Sequence, residues 1–266
     1  MAFIAAFGIF YFDTFSWLAG SWINNEYYSH GFLVPIISGY IIWTLRKELA
    51  LVERRQSQTG LGIIAFGILL QGIGVLWSIR FISGISLLVT GSGMILYLFG
   101  WEFLKKISFP LVFLVLMIPL PIVDIIASPT QMLSAIGTTS LANLAGLPVV
   151  REGLILKIPS GSFEVAYACS GINSIISLFT IAVIYAFILE GGMLMKFTII
   201  ISSIPLALAG NIMRITSVLA VANKYGQETA MNYFHDFSSL LLFCVVLSGL
   251  FLIGRCFGRL RFKKIF

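Results

Sequence analysis

The chain contains a series of long apolar runs, and this feature restricts its fold more than any other. The hydrocarbon core of a bilayer is about 30 Å thick and takes about 20 helical residues to cross. Eight runs approach that length, at about 3–20, 31–45, 60–78, 81–100, 107–126, 170–189, 197–219 and 236–254. The fifth contains Pro110, Pro119 and Pro121 and is expected to be kinked or partly re-entrant. We therefore predict an all-α polytopic membrane protein with about eight transmembrane helices, forming a single domain over residues 1–266.

The composition excludes several other classes of protein. Of the 266 residues, 59% are hydrophobic and 11% are charged, whereas soluble domains carry about 25% charged residues. Three cysteines are too few and too scattered for a disulfide framework or a metal site. The net charge of +6 comes from basic residues in short loops, so it does not indicate a nucleic-acid partner. We expect no metal and no organic cofactor, and we expect the lipid bilayer to surround the chain.

The distribution of basic residues predicts the orientation in the membrane. Cytoplasmic loops carry an excess of Lys and Arg. With the N-terminus in the cytoplasm, 12 of the 17 basic residues fall on that side. These are Arg46, Lys47, Arg54, Arg55, Lys105, Lys106, Lys196, Arg255, Arg259, Arg261, Lys263 and Lys264. Both termini are therefore expected in the cytoplasm.

The segment at about 127–168 should then form a small extracytoplasmic cap between the fifth and sixth spans. Ser128-Pro129, followed by a mixed run to Ala145, predicts an amphipathic helix lying on the membrane with proline in its first turn. Leu154–Ile158 and Phe163–Ala168 flank a Pro-Ser-Gly-Ser turn sequence and predict a β-hairpin.

This topology places three chemically distinctive residues at one depth. Cys169 precedes the sixth span, which runs inward, so its thiol should lie at the outer face. Arg214 lies 17 residues beyond Phe197 on an outward-running helix, or about 26 Å at 1.5 Å per residue. His235 immediately precedes the eighth span, which starts from the outside. A thiol, a guanidinium and an imidazole are thus expected in the same leaflet.

Each of these residues also has a purely structural interpretation. A free cysteine is usually a small hydrophobic side chain, and Cys244 and Cys256 fit that interpretation. Arg214 could extend to the outer headgroups, although a charge within a span is functional by default. His235 could be an ordinary interfacial residue.

Together the three residues suit nucleophilic catalysis. A thiolate is the reactive form of cysteine, and cationic partners and a helix N-terminus lower the thiol pKa. An imidazole can accept the thiol proton and return it to a leaving amine. A guanidinium can stabilise the oxyanion of a tetrahedral intermediate.

Four further residues are candidates for supporting or substrate-binding roles. The small residues Ser170 and Gly171 would let a peptide carbonyl approach the sulfur of Cys169. Asn211 lies three residues before Arg214 on the same helical face. It could orient the guanidinium, bind substrate or serve only in packing. His30, in the sequence YYSHGFLVP, is the second candidate base, after His235.

The sequence resembles the exosortases of the exosortase/archaeosortase family. The resemblance is carried by ACSGINS at Cys169, NIMR at Arg214, a histidine before the last span, and YYSHGFLVP near the N-terminus. It covers essentially the whole chain. It implies a membrane-embedded cysteine transpeptidase in which Cys169 is the nucleophile, Arg214 stabilises the transition state and His235 is the acid and base.

The resemblance also implies a substrate and a location. Exosortases are thought to act on exported proteins with a C-terminal sorting tail: a short Pro-Glu-Pro-type (PEP-CTERM) motif, a transmembrane helix and a basic cluster. Cleavage through a Cys thioester would pass the protein to an acceptor at the outer face. The expected location is a bacterial inner membrane, with the active site on the periplasmic side.

Three other functions remain open from the residues alone. A membrane acyltransferase would use the same thiol with a phospholipid donor, and a fatty acyl adduct on Cys169 would identify it. A transporter or flippase would use Arg214 as an anion site, but apart from Asp124 and Arg214 we expect almost no ionisable groups at mid-depth. A non-catalytic assembly factor would keep its function after Cys169→Ala.

Overall fold

The computed structural model describes residues 2–121, 123–165, 170–230 and 234–256, with side chains except at 2–4, 26, 124, 235, 236 and 239. The backbone divides into two compact units, one ending at Pro121 and the other beginning at residue 122. We call them the N-terminal unit and the C-terminal unit.

The described part of the N-terminal unit is helical. Its α-helices are α1 (Ala2–Phe10), α2 (Phe12–Asn24), α3 (Leu33–Thr44), α4 (Arg46–Ala50), α5 (Thr59–Leu76), α6 (Arg80–Phe99), α7 (Trp101–Lys106) and α8 (Ser108–Phe113). Two 3₁₀ helices cover Glu26–Phe32 and Leu114–Met117. The third and fourth predicted spans correspond closely to α5 and α6, and the second contains α3.

Helices α5 and α6 pack closely because glycines lie at their interface. Gly60, Gly67 and Gly74 are spaced by seven residues, which places them on one face of α5. A Cβ atom at Gly60 would lie 2.5 Å from the backbone nitrogen of Tyr97, and one at Gly74 would lie 2.9 Å from that of Ser83. Small residues allow this kind of backbone approach between membrane helices.

The fifth predicted span is shorter than expected. Helix α8 continues as a 3₁₀ helix to Met117, and the chain is extended at Ile118, with ψ 125°. Pro119 and Pro121 follow, and proline both lacks an amide donor and disfavours a helical conformation in the residue before it. Residues 123–126, predicted to complete this span, instead begin the next helix.

The C-terminal unit contains five α-helices and a small sheet within its described ranges. The helices are α9 (Val123–Leu144), α10 (Ile172–Ile188), α11 (Met193–Tyr225), α12 (Gln227–Thr229) and α13 (His235–Cys256). The strands are β1 (Val150–Glu152), β2 (Ile155–Ile158) and β3 (Gly161–Glu164).

Helix α9 differs from the amphipathic surface helix that we predicted from Ser128 onward. It begins at Val123, so Pro129 lies inside the helix and not in its first turn. The Thr130 hydroxyl donates to the carbonyls of Ile126 and Ala127, at 2.9 and 2.8 Å, close to the position where proline removes a backbone donor. One face of α9 is buried, and the helix packs against α11.

The predicted hairpin is present, but it is part of a larger sheet. Strands β2 and β3 pair antiparallel with Leu156 opposite Phe163, and β1 adds a third antiparallel strand with Arg151 opposite Leu156. The strands were predicted at 154–158 and 163–168, whereas β3 occupies Gly161–Glu164 and residues 166–168 lie outside the described ranges. Side chains from the sheet contribute to an apolar cluster with α9 and the end of α11.

Three described helices are long and apolar enough to cross a membrane: α5, α6 and α11. Shorter apolar helical segments cover Ser108–Met117, Ile172–Ile188 and Leu240–Cys256. The count of eight spans therefore stays a prediction. The 33 residues of α11 extend for about 50 Å, so this helix is longer than the hydrocarbon core is thick and can reach beyond it.

Candidate active site

Helix α11 carries two of the predicted site residues between two apolar clusters. Ala207 belongs to a cluster formed with α10 and α13. Val218 belongs to the cluster formed with α9 and the sheet. Asn211 and Arg214 lie between these positions, three residues apart and on one side of the helix. Asn211 is buried and Arg214 is half-buried. Both therefore lie between the part of α11 that packs against α10 and α13 and the part that packs against α9 and the sheet.

A buried hydrogen-bond chain connects α11 to Ser170, the residue that follows the predicted nucleophile. Asn211 Nδ2 donates to Ser134 Oγ on α9 at 2.9 Å. Ser134 Oγ donates to the backbone carbonyl of Ser170 at 3.3 Å. Ser134 and Ser170 are fully buried and Asn211 is 3% exposed. The peptide between Ser170 and Gly171, one residue beyond Cys169, is therefore fixed by side chains from two helices.

The turn at Ser170 and Gly171 depends on the conformation of Gly171. This residue precedes α10 with φ +83°, a left-handed conformation that residues with a Cβ rarely adopt. A Cβ here would lie 2.8 Å from Asn211 Nδ2 and 3.1 Å from Asn211 Cβ. Glycine is thus required both by its backbone angle and by the Asn211 side chain packed against it. The sequence suggested a different reason, access of a substrate carbonyl to the sulfur.

Helix α10 begins directly after this loop. Its first residue, Ile172, donates its backbone amide to Ser170 Oγ at 3.4 Å. The serine side chain thus accepts a hydrogen bond from one of the amides that a helix start leaves without a partner. Ser170 and Gly171, predicted as supporting residues, are both part of the turn that starts α10.

Two of the three predicted catalytic groups lie outside what the structure describes. Cys169 is outside the described residues, and so is the side chain of His235, whose backbone begins α13. The convergence of Cys169, Arg214 and His235 therefore stays a prediction. The structure does bring Ser170 and Asn211 together through Ser134. Ser170 is bonded to Cys169, and Asn211 lies one helical turn from Arg214.

His30 belongs to the N-terminal unit, in the 3₁₀ helix Glu26–Phe32. Both ring nitrogens are buried, and neither makes a hydrogen bond with a residue that the structure describes. Burial lowers the pKa of His30, and this effect exceeds the opposing influence of the nearby backbone of Leu116 and Tyr27. The ring is therefore held in its neutral form, the form that a base requires. Its predicted supporting role remains untested.

Ser134 is a site residue that the sequence reasoning missed, although a signal for it exists. The buried positions of α9 follow a helical period along one face and are small or uncharged. They are Val123, Ala127, Gln131, Ser134, Ala135, Thr138 and Ala142. Such a stripe is typical of helices that pack closely against another helix, whereas our prediction relied on apolar periodicity alone.

No group of three or more His, Cys, Asp or Glu side chains comes together as a possible metal site within the described residues. The described side chains connected to Ser170 by hydrogen bonds are the Ser134 hydroxyl and, through it, the Asn211 amide. These groups can donate hydrogen bonds and stabilise negative charge.

The long apolar helices and the buried polar chain from Asn211 to Ser170 are those of an integral membrane protein with a polar centre. The chain belongs to the transmembrane exosortase family (Exosortase_EpsH), whose model matches residues 22–252. The matched region includes the positions of Cys169, Arg214 and His235. The family expected from the sequence motifs is thereby confirmed. Neither the curated proteins nor the solved structures contain a match to the chain.

Proposed function

We propose that the protein is a membrane-embedded cysteine transpeptidase that cleaves the C-terminal sorting tail of exported proteins. Membership in the exosortase family supports this activity. The observation that carries it is the buried chain from Asn211 through Ser134 to the carbonyl of Ser170. If Cys169 were only a packing residue, the neighbouring Ser170 carbonyl would not need to be fixed by buried hydrogen bonds from two helices.

The proposed reaction has two halves that share one covalent intermediate. His235 accepts the thiol proton of Cys169, and the thiolate attacks the scissile carbonyl of the tail. The tetrahedral intermediate collapses as His235 protonates the leaving amine, which leaves the exported protein as a thioester on Cys169. An acceptor amine then attacks the thioester, gives up a proton, and the thiolate departs.

Arg214 is the proposed stabiliser of the oxyanion. A guanidinium donates hydrogen bonds and carries a permanent charge, and its effect is strongest where water is excluded. Arg214 is half-buried beside buried Asn211. It is therefore partly shielded from water, as this role requires.

Asn211 and Ser134 are proposed to position the nucleophile. Ser170 is bonded to Cys169, so fixing the Ser170 peptide limits the positions open to the thiol. Gly171 limits them further because its φ of +83° and its contact with Asn211 set the direction in which the loop enters α10. These residues act through the loop and are positioning residues.

The proposed substrate is a membrane-anchored protein whose tail has a short Pro-Glu-Pro-type motif, a transmembrane helix and a basic cluster. A substrate anchored by its own helix would reach the enzyme at a fixed depth, which reduces the entropy lost on encounter. The scissile bond should then lie just outside the tail's helix. The proposed location is a bacterial inner membrane, with the site on the periplasmic side and both termini cytoplasmic.

The proposal is tested by co-expressing the protein with a reporter that ends in such a tail. Mass spectrometry of the reporter's new C-terminus should show cleavage near the Pro-Glu-Pro-type motif together with the mass of the transferred acceptor. Reporter that keeps its full tail in the presence of properly inserted enzyme would contradict the proposal.

A further inference from the structure

A cavity with a mixed polar and apolar lining lies among α2, α5 and α6 of the N-terminal unit and has a volume of about 190 Å³. Its lining includes two charged side chains, Asp13 on α2 and Arg80 at the start of α6. Thr14, Gln71 and Ser83 add uncharged polar groups. None of these residues belongs to the proposed active site.

The two charges are not neutralised by neighbouring side chains. Within the described ranges, neither Asp13 nor Arg80 makes a side-chain hydrogen bond or an ion pair. Asp13 also lies inside the first apolar run, and it lines the cavity together with Ser78 and Arg80 of the α5–α6 turn. Both charged side chains are exposed. Intramembrane charges face a cavity or a partner because exposure to hydrocarbon is costly. Here a carboxylate and a guanidinium both line one cavity.

The polar wall of the cavity is held by a buried network. Ser86 Oγ donates to Gln71 Oε1 at 2.7 Å, and Gln71 Nε2 donates to Thr14 Oγ1 at 3.3 Å. Gln71 and Thr14 are both buried. The close approach of α5 and α6 at Gly74 and Ser83 fixes the adjacent wall. A site with fixed polar groups loses little entropy on binding.

The size and the surroundings of the cavity restrict what can occupy it. The volume far exceeds the ~15 Å³ that one water needs and is below the ~300 Å³ of the smallest common ligand pockets, so the cavity fits a small polar group. The adjacent turn exposes Val75, Leu76 and Trp77. Exposed apolar side chains with tryptophan are typical of the membrane interface, so the rest of the ligand can be apolar.

We propose that this cavity binds the headgroup of an amine-bearing zwitterionic phospholipid. Arg80 binds the phosphate, since a guanidinium matches phosphate oxygens with two parallel N–H donors. Asp13 accepts hydrogen bonds from the ammonium group, and the acyl chains lie against the apolar residues of the α5–α6 turn. This lipid site is independent of the transpeptidase chemistry.

The test measures lipid retention by the delipidated full-length protein in detergent, using native mass spectrometry. The probes are phosphatidylethanolamine and phosphatidylglycerol with identical acyl chains, and soluble phosphoethanolamine as a competitor. We expect the amine-bearing lipid to be retained about threefold to fivefold better than phosphatidylglycerol, the effect of one partly exposed ion pair. Asp13→Asn should remove this preference, and Arg80→Gln should weaken retention of both lipids.

The controls are Glu102→Gln and Arg54→Gln, which change exposed charges outside the cavity in the same unit. Both should retain the preference of the wild-type protein. Equal retention of the two lipids by the wild-type protein would overturn the proposal, and this comparison does not depend on any variant folding. Displacement by soluble phosphoethanolamine at the concentration of the lipid would overturn the assignment to a lipid.

Discussion

Asn211 on α11 donates a 2.9 Å hydrogen bond to Ser134 on α9, and both side chains are buried. These residues are 77 positions apart in the chain. Because Ser134 in turn donates to the carbonyl of Ser170, side chains from two helices hold the peptide between Ser170 and Gly171, one residue beyond Cys169. The activity should therefore depend on side chains that never contact the substrate.

Ser134→Ala should reduce reporter processing strongly. The substitution removes the donor to Ser170 and the acceptor for Asn211, and each buried polar group left unpaired costs about 1–3 kcal/mol. The measurement is the initial rate of tail cleavage, normalised to the amount of inserted enzyme. Ser140→Ala is the matched control, because its hydroxyl is exposed and bonds only within α9. Equal rates for the two variants would contradict a positioning role for Ser134.

Gly171→Ala should lower stability and activity more than Gly146→Ala. Both glycines have positive φ, +83° and +81°, but only a Cβ at Gly171 would contact another residue, Asn211. The left-handed backbone alone costs about 1–2 kcal/mol in an alanine. Gly146→Ala therefore measures this backbone cost without a side-chain contact. The difference in thermal unfolding midpoint between the variants measures the contact with Asn211. No difference would show that this contact does not matter.

Arg214→Ala should decrease kcat by about 100-fold or more, the usual loss when an oxyanion donor is removed. Arg214→Lys keeps the charge but not the planar arrangement of donors, so it should recover only part of the rate. Arg151→Ala, an exposed change on β1, is the control and should process the reporter normally. A higher KM with unchanged kcat in Arg214→Ala would instead assign Arg214 to substrate binding.

His30 predicts a pH dependence of stability. Burial lowers its pKa in the folded protein, whereas the unfolded chain has a pKa of about 6.5. Below that value the unfolded state binds more protons than the folded state. The contribution of His30 to the free energy of unfolding is therefore fully present above about pH 6.5 and decreases as the pH falls. His30→Gln should flatten the decrease in unfolding midpoint between about pH 7 and pH 5. An unchanged slope would show that the ring is not buried as described.

The α5–α6 interface predicts that two neighbouring glycines respond differently to alanine. A Cβ at Gly60 would lie 2.5 Å from the backbone of Tyr97, whereas one at Gly62 would meet nothing within 4 Å. Gly60→Ala should separate the helices and lower the unfolding midpoint. Gly62→Ala should be neutral or slightly stabilising, because alanine exceeds glycine in helix propensity by about 1 kcal/mol. A similar midpoint for both variants would contradict the close packing at Gly60.

Some features of the fold could be predicted because they depend on local pattern. Apolar runs of sufficient length predicted α5 and α6, and the Pro-Ser-Gly-Ser turn predicted the pairing of β2 with β3. The start of α9 could not be predicted in this way, because Pro129 usually indicates a first turn. Helix α9 instead includes this proline, with the Thr130 hydroxyl bonded to nearby carbonyls.

The candidate site was only partly predictable, since it depends on contacts that are distant in sequence. Asn211 could be selected because it shares a helical face with Arg214. Ser134 was missed because small and uncharged polar residues give no apolar period. The cavity was missed because its lining comes from three helices that are distant in sequence. Asp13, a charge inside the first apolar run, was left out of the expectation that weighed against a transporter.

The central claim is that Cys169 carries the exported protein as a thioester. The most direct measurement is mass spectrometry of the Cys169 peptide, isolated under acidic conditions after co-expression with the tail-bearing reporter. We predict a hydroxylamine-sensitive adduct with the mass of the reporter peptide that ends at its new C-terminus, absent in Cys169→Ser and present in Cys244→Ser. A fatty acyl adduct, or normal processing by Cys169→Ser, would contradict the account.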